Sequence, residues 1–217
     1  MFLVDLLFPN RCLECNRIIQ ADEVVCELCF NQIHFTHHHY SESNLLSEKC
    51  RLLFPLQYAF ALMQFEEEST SQKIIHQLKY GSREKIGKII AKWALEKIDF
   101  NSLHIDLLVT VPLHPKKEKE RGYNQLHLFA DSLSKELKIP SDHTLIKRNF
   151  YKKAQAKKSR AQRIFNENLF SITNEITNQH ILLIDDVFTT GNTMNAVAWE
   201  ILKSGNNQVS VLVMAMD

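Results

Sequence analysis

The sequence predicts an α/β protein: a parallel sheet flanked by helices, preceded by a small metal-stabilised unit. Two apolar runs carry the sheet. Ile105–Pro112 and Ile181–Ile184 are short and strongly hydrophobic, as strands buried on both faces must be, and each leads through a polar turn into an amphipathic helix. Strand, turn and helix repeated at well-separated places build a parallel, doubly wound sheet whose ligands sit at the carboxyl ends of the strands. The third observation is Cys12-x2-Cys15 followed by Cys26-x2-Cys29, two knuckles that can close one four-sulfur site.

A length of 217 residues suffices for one good-sized domain and an appendage. Hydrophobic residues at 45% and charged residues at 24% are ordinary for a globular protein. No apolar run reaches the length of a membrane span. A net charge of +1 gives no general affinity for polyanions, so local charge clusters become the informative feature. The opening MFLVDLLFPN has neither a basic leading region nor a small-residue cleavage site; we read no secretory signal and expect a cytoplasmic protein.

Residues 1–36 form the first unit. A segment this short buries too little to fold alone, so Zn2+ held by Cys12, Cys15, Cys26 and Cys29 would supply the missing stabilisation. Disulfides or unpaired thiols are the alternative, which the lack of a secretion signal disfavours. A closed four-thiolate site has no open coordination position, so its role is structural or in docking a partner. Cys50 reads as a buried or incidental thiol. His37, His38 and His39 are consecutive, so they point in different directions on any regular element and do not read as a second metal cluster. Residues 37–56 are polar and irregular and read as a linker, and residues 57–217 as the main domain.

Within that domain Tyr58–Phe65 reads as a strand or hairpin edge. Ile74, Ile75 and Leu78 give a short helical stripe that breaks at Lys79-Tyr80-Gly81-Ser82, and Ile86, Ile89, Ile90, Trp93 and Ala94 give a second. Lys79, beside the break, is either a phosphate ligand or a solvated lysine at a helix end. After the first strand, His114–Gln125 reads as a long polar turn in which Lys116, Lys117, Lys119 and Arg121 outnumber Glu118 and Glu120. Leu126, Phe129, Ala130, Leu133 and Leu137 then mark one face of a helix.

Residues 147–163 hold eight Lys or Arg and no acid, a block that repels itself unless an anion lies against it. The anion could be a diphosphate that a closing loop neutralises. It could equally be single-stranded nucleic acid, with Tyr151 offering a stacking face among Lys152, Lys153, Lys157, Lys158 and Arg160. A solvated face is the third reading.

The second strand continues as ILLIDDVFTTGNTM. Two carboxylates emerge at its end, and a turn with Thr189, Thr190 and Gly191 opens a helix whose first amides and dipole favour an anion. This run resembles the phosphoribosyl pyrophosphate (PRPP) signature of type I phosphoribosyltransferases: four apolar residues, two acids, two variable residues and Thr-Thr-Gly-x-Thr. The resemblance implies that Asp185 and Asp186 are the catalytic pair and bind the ribose hydroxyls. It implies that Thr189, Thr190, Gly191, Asn192 and Thr193 hold the 5′-phosphate, and that Mg2+ arrives with the diphosphate. It makes Lys79, Lys116, Arg121, Asn124, Gln155 and Arg163 candidates for the diphosphate and its loops. A Walker P-loop is excluded because no Gly-Lys-Ser/Thr occurs.

The order of parts is more specific still. A four-cysteine knuckle, LKYGS, VTVPLHPKKEKERGYNQ, KKAQAKKSRAQRIFNENLF and ILLIDDVFTTGNTM resemble the ComF family, including its GntX-like group, over nearly the whole chain. The pattern departs at Lys153-Ala154, where the family usually has Thr ahead of Gln155, and at Asn168-Leu169, where it has Gly before Phe170. The resemblance implies a type I phosphoribosyltransferase-like sheet with an N-terminal zinc ribbon, acting on single-stranded DNA during natural transformation, with other DNA-uptake proteins as further partners. It leaves open an active transferase with an unidentified acceptor, and a zinc-stabilised scaffold with a vestigial PRPP site.

Overall fold

Burial of both faces decides where the sheet lies. In the computed structural model, which describes residues 8–37, 43–81, 83–149 and 169–217, five strands run parallel. They are β1 (Ala59–Gln64), β2 (Leu107–Thr110), β3 (Ser141–Asp142), β6 (His180–Phe188) and β7 (Gln208–Met216), in the spatial order β1-β7-β6-β2-β3. The apolar run Ile181–Ile184 is fully buried in the centre, between β7 and β2. A separate antiparallel pair joins β4 (Ile146–Arg148) to β5 (Phe170–Ile172).

The helices follow the predicted stripes. They are α1 (Glu27–Phe30), α2 (Leu45–Arg51), α3 (Thr70–Tyr80), α4 (Ile86–Lys97), α5 (Pro115–Arg121), α6 (His127–Leu137) and α7 (Asn192–Lys203). Helix α4 packs on α6 and α6 on β2, while α7 packs on β6 and β7. Ile86, Ile90, Trp93 and Ala94 of α4 and Phe129, Ala130 and Leu133 of α6 are the buried faces. Among the described residues no helix is long and apolar enough to cross a membrane.

Two expectations are corrected. The stretch read as a linker contains α2, which starts with a capping box: Asn44 Oδ1 accepts from the Ser47 N–H at 2.9 Å and Ser47 Oγ accepts from the Asn44 N–H at 2.9 Å. Its Leu46 and Cys50 are fully buried, and it packs on β1. The stretch read as a long polar turn contains α5. His114 caps it by accepting the Lys116 N–H at 3.1 Å, Pro115 takes the first turn, and Gly122 ends it at φ +77°. None of its residues is buried, so no apolar period announced it.

The cysteine unit is fastened to the sheet rather than tethered. Phe30, Phe35 and Trp93 form one aromatic cluster with centroids 5.2–6.1 Å apart. The backbone of His34–Thr36 covers the edge of β1: the Gln64 N–H donates to His34 O at 2.8 Å and the Thr36 N–H to Leu62 O at 3.1 Å. Glu14 reaches α3, accepting from Lys73 Nζ at 2.6 Å and Thr70 Oγ1 at 3.0 Å, and the hydrogen bond from Lys73, against the loss of water and helped by the one from Thr70, holds its carboxyl below the usual range.

Candidate functional site

The site forms at the carboxyl end of β6, where the strand carries Asp185 and Asp186 and then turns at Thr189-Thr190-Gly191 into α7. Gly191 sits at φ +74° as the residue before the helix, and a Cβ there would come within 2.6 Å of Leu53 Cδ1 and 2.7 Å of Phe188 Cζ. Only glycine meets both conditions, positive φ and no room. With no capping side chain at Gly191, the first amides of α7 open outward over a small concavity of about 50 Å³. Its lining includes Asp185, Thr189, Thr190, Asn192 and Thr193, so all but one of the predicted PRPP-binding residues meet there, Asp186 standing next to it in the strand. Thr189, Thr190, Asn192 and Thr193 are exposed, which leaves hydroxyl and amide groups accessible to an incoming anion.

The acidic pair is held by groups from two distant segments, the end of α3 and the stretch 121–125. Lys79 Nζ, at the end of α3, lies 2.9 Å from Asp186 Oδ1. Gln125 Nε2 donates to Asp186 Oδ2, and Arg121 donates to Gln125 Oε1 at 2.7 Å. Arg121 also lies 4.9 Å from the centre of the Tyr80 ring. Asp185 Oδ1 accepts the Asp186 N–H at 2.8 Å. Loss of water around Asp185, and then the neighbouring Asp186 charge, push its carboxyl well above the usual carboxylate range; the Asp186 N–H, Lys79 and Arg148 pull the other way. Cations and acids thus meet in one partly desolvated place, which is what binding a charged sugar phosphate requires.

Of the diphosphate candidates, Lys79 and Arg121 enter this network. Lys116 does not: it is exposed on α5 and its nearest acid is Glu120, 3.9 Å away and one turn along the same helix. Asn124 is buried, and its Oδ1 accepts the Leu126 N–H at 3.0 Å, a turn-forming role ahead of α6. Gln155 and Arg163, and the nucleic-acid candidates Tyr151, Lys152, Lys153, Lys157, Lys158 and Arg160, lie outside the described residues. Sequence reasoning missed Gln125, Tyr80 and Arg148 as members of the site. Their spacing carried no signal, because each acts through a neighbour remote in the chain.

The four cysteines form the second centre. Their Sγ atoms all lie within 4.8 Å of one another, and Cys15 and Cys26 are 3.7 Å apart. Zinc–sulfur bonds of about 2.3 Å in a tetrahedron require sulfurs about 3.8 Å apart, so the set fits Zn2+. The Cys26 N–H donates to Cys12 Sγ at 3.3 Å, as expected for a thiolate held in a knuckle. Burial pushes the Cys12 thiol up, but the backbone N–H groups of Cys15, Cys26 and Glu14 overcome it and bring the thiol down to about 6. Cys29 is pushed up by burial and by the surrounding sulfurs, a crowding that a divalent cation relieves. Bound there, Zn2+ supplies structure and no reaction step.

Comparison with known proteins meets both centres. A phosphoribosyl transferase domain matches residues 127–215, and a double zinc ribbon domain matches residues 3–41. The competence protein ComFC of Bacillus subtilis is 40% identical over 100 residues, 46% of this chain, and the match spans only 39% of that protein. The DNA utilization protein YhgH of Escherichia coli is 28% identical over 92% of this chain and 87% of its own length. Competence protein F of Haemophilus influenzae is 32% identical over 49% of this chain and 48% of its own. Among solved structures, a purine phosphoribosyltransferase from Pyrococcus horikoshii aligns at a TM-score of 0.40 and 20% identity, over 60% of this chain and 83% of that one.

Proposed function

We propose, for a chain that belongs to the ComF-type, phosphoribosyltransferase-like proteins with an N-terminal zinc ribbon, that the site at the end of β6 binds PRPP and that the protein handles single-stranded DNA during DNA uptake. The observation that supports the PRPP reading is the convergence of Lys79, Gln125 and Arg121 on Asp186, beside an uncapped helix start with exposed threonines. In this reading Asp185 and Asp186 accept the ribose hydroxyls, and Thr189–Thr193 donate to the 5′-phosphate. Lys79 exchanges part of its contact with Asp186 for the diphosphate, and Arg121 adds a second cation. Mg2+ accompanies the diphosphate and neutralises part of its charge.

The DNA part of the reading is supported by the names of the relatives, competence protein and DNA utilization protein. Residues 1–36 act as a structural ribbon, residues 57–217 carry the ligand site together with the packed helix α2 that precedes them, and the protein works in the cytoplasm. The test is oligothymidylate binding followed by fluorescence anisotropy at several salt concentrations, with and without PRPP. Affinity that falls steeply with salt, and that shifts when PRPP is added, is expected. Absence of strand binding at low salt would contradict the reading.

A further inference from the structure

Helix α3 leaves an unusual face to solvent. His76 and Tyr80, one turn apart, place their rings 5.0 Å centre to centre, and both residues are exposed, Tyr80 to 61%. Arg121 comes from the end of α5 to lie 4.9 Å from the Tyr80 ring centre, and its guanidinium also donates to the Tyr80 hydroxyl at 3.3 Å. A tyrosine this exposed contributes little to the core, while the arginine and histidine against it limit the ring's freedom. Beside this ladder lies a concavity of about 520 Å³, lined among others by Leu13, Phe65, Lys73, His76, Lys79 and Tyr80.

We infer that the His76, Tyr80 and Arg121 ladder is the stacking platform for bases of single-stranded nucleic acid, which places the strand beside the acidic pair. The inference rests on the DNA-handling reading and names its surface. A platform for a single strand needs aromatic faces for the bases and cations for the backbone, without base-specific partners. Both are present: Lys73 and Lys79 flank the rings, and the contacts of Arg121 are with neutral groups, the Gln125 amide and the Tyr80 ring and hydroxyl. Glu14 and Asp186 pair with Lys73 and Lys79, so the face is moderately cationic and aromatic stacking adds to the salt-dependent contacts made with the strand's phosphates. The His76 and Tyr80 rings are inclined at 44° to each other rather than parallel, so they offer separate faces, which favours consecutive bases of a strand over a small heteroaromatic ligand. Lys79 belongs both to the wall of this concavity and to the acidic pair, so a bound strand and a bound sugar phosphate would sense each other through one side chain.

The experiment is photocrosslinking of the intact protein to an oligothymidylate carrying 5-iodouracil, with peptide mapping, alongside anisotropy titrations of variants. The crosslink is expected on His76 or Tyr80. Tyr80→Ala should weaken binding about 5- to 150-fold and Tyr80→Phe less than about twofold, since the ring and not the hydroxyl stacks. Crosslinks confined to residues 147–163, or a folded Tyr80→Ala that binds like wild type, would overturn the platform and leave the DNA-handling reading standing. Displacement of the strand by stoichiometric free thymine would also overturn it, by assigning the face to a small ring. Wild type that retains no strand overturns the reading beneath it.

Discussion

Replacing Gly191 by alanine probes the turn that aims the first amides of α7. An L residue at φ +74° costs about 1–2 kcal/mol, of which restriction of the unfolded chain returns up to ~1 kcal/mol. The added methyl would sit 2.6 Å from Leu53 Cδ1 and 2.7 Å from Phe188 Cζ, and overlap of that kind in a packed site costs about 1–3 kcal/mol more. The sum is about 1–5 kcal/mol, or about 2–20 °C in Tm for a chain of this size. Gly122 supplies the control: it has φ +77° but nothing within 4 Å of an added Cβ, so Gly122→Ala should cost only ~1 kcal/mol. Thermal melts of both variants separate backbone strain from overlap. The turn must also shift to admit the methyl, so PRPP affinity of Gly191→Ala, measured well below its Tm, should fall at least about tenfold. If the two variants melted within about 2 °C of each other, the close packing assigned to Gly191 would be refuted.

Three further outcomes are expected. Asp185 holds its proton more tightly folded than unfolded, so its effect on stability is full at acidic pH and is lost as pH rises from the ordinary carboxylate value through its raised one; Asp185→Asn should therefore raise Tm at pH 8 and abolish PRPP binding, checked by paired melts and calorimetry. His127 is stacked at 4.0 Å on His143, and burial followed by the His143 charge lowers it to about 4. Protons then bind the unfolded chain better between about pH 4 and 6.5, stability falls across that window on acidification, and His127→Phe should flatten that part of a Tm-against-pH curve. Removal of Zn2+ by a chelator should release about one metal per chain and expose the Phe30, Phe35 and Trp93 cluster, seen as a red-shifted tryptophan emission; an unchanged spectrum on metal loss would contradict a structural role.

What the sequence disclosed, and what it withheld, follows from how each contact is made. Ile181–Ile184 and the stripe through Ile86, Ile90 and Trp93 were legible because burial imposes a pattern on neighbouring residues. Helix α5 was not, because a helix with no buried residue has no apolar period, although His114, Pro115 and Gly122 marked its ends. Helix α2 is only seven residues long, and its start signal is an Asn44 and Ser47 box that lies within a polar stretch. Strand β3 is two residues long and is defined by its pairing with β2. At the site, the acids and the threonine turn lie in one contiguous run and could be read together. Lys79 and Gln125 reach that run from far along the chain, and Arg121 joins through Gln125, so three dimensions were needed to bring them together.

The most direct measurement is calorimetric titration of PRPP with Mg2+ into the zinc-loaded protein and into the Asp185→Ala/Asp186→Ala variant. One PRPP bound per chain by wild type, with binding lost in the folded variant, is the predicted result. No heat of binding in wild type, or equal affinity in the two proteins, would contradict the assignment of this strand end as the PRPP site.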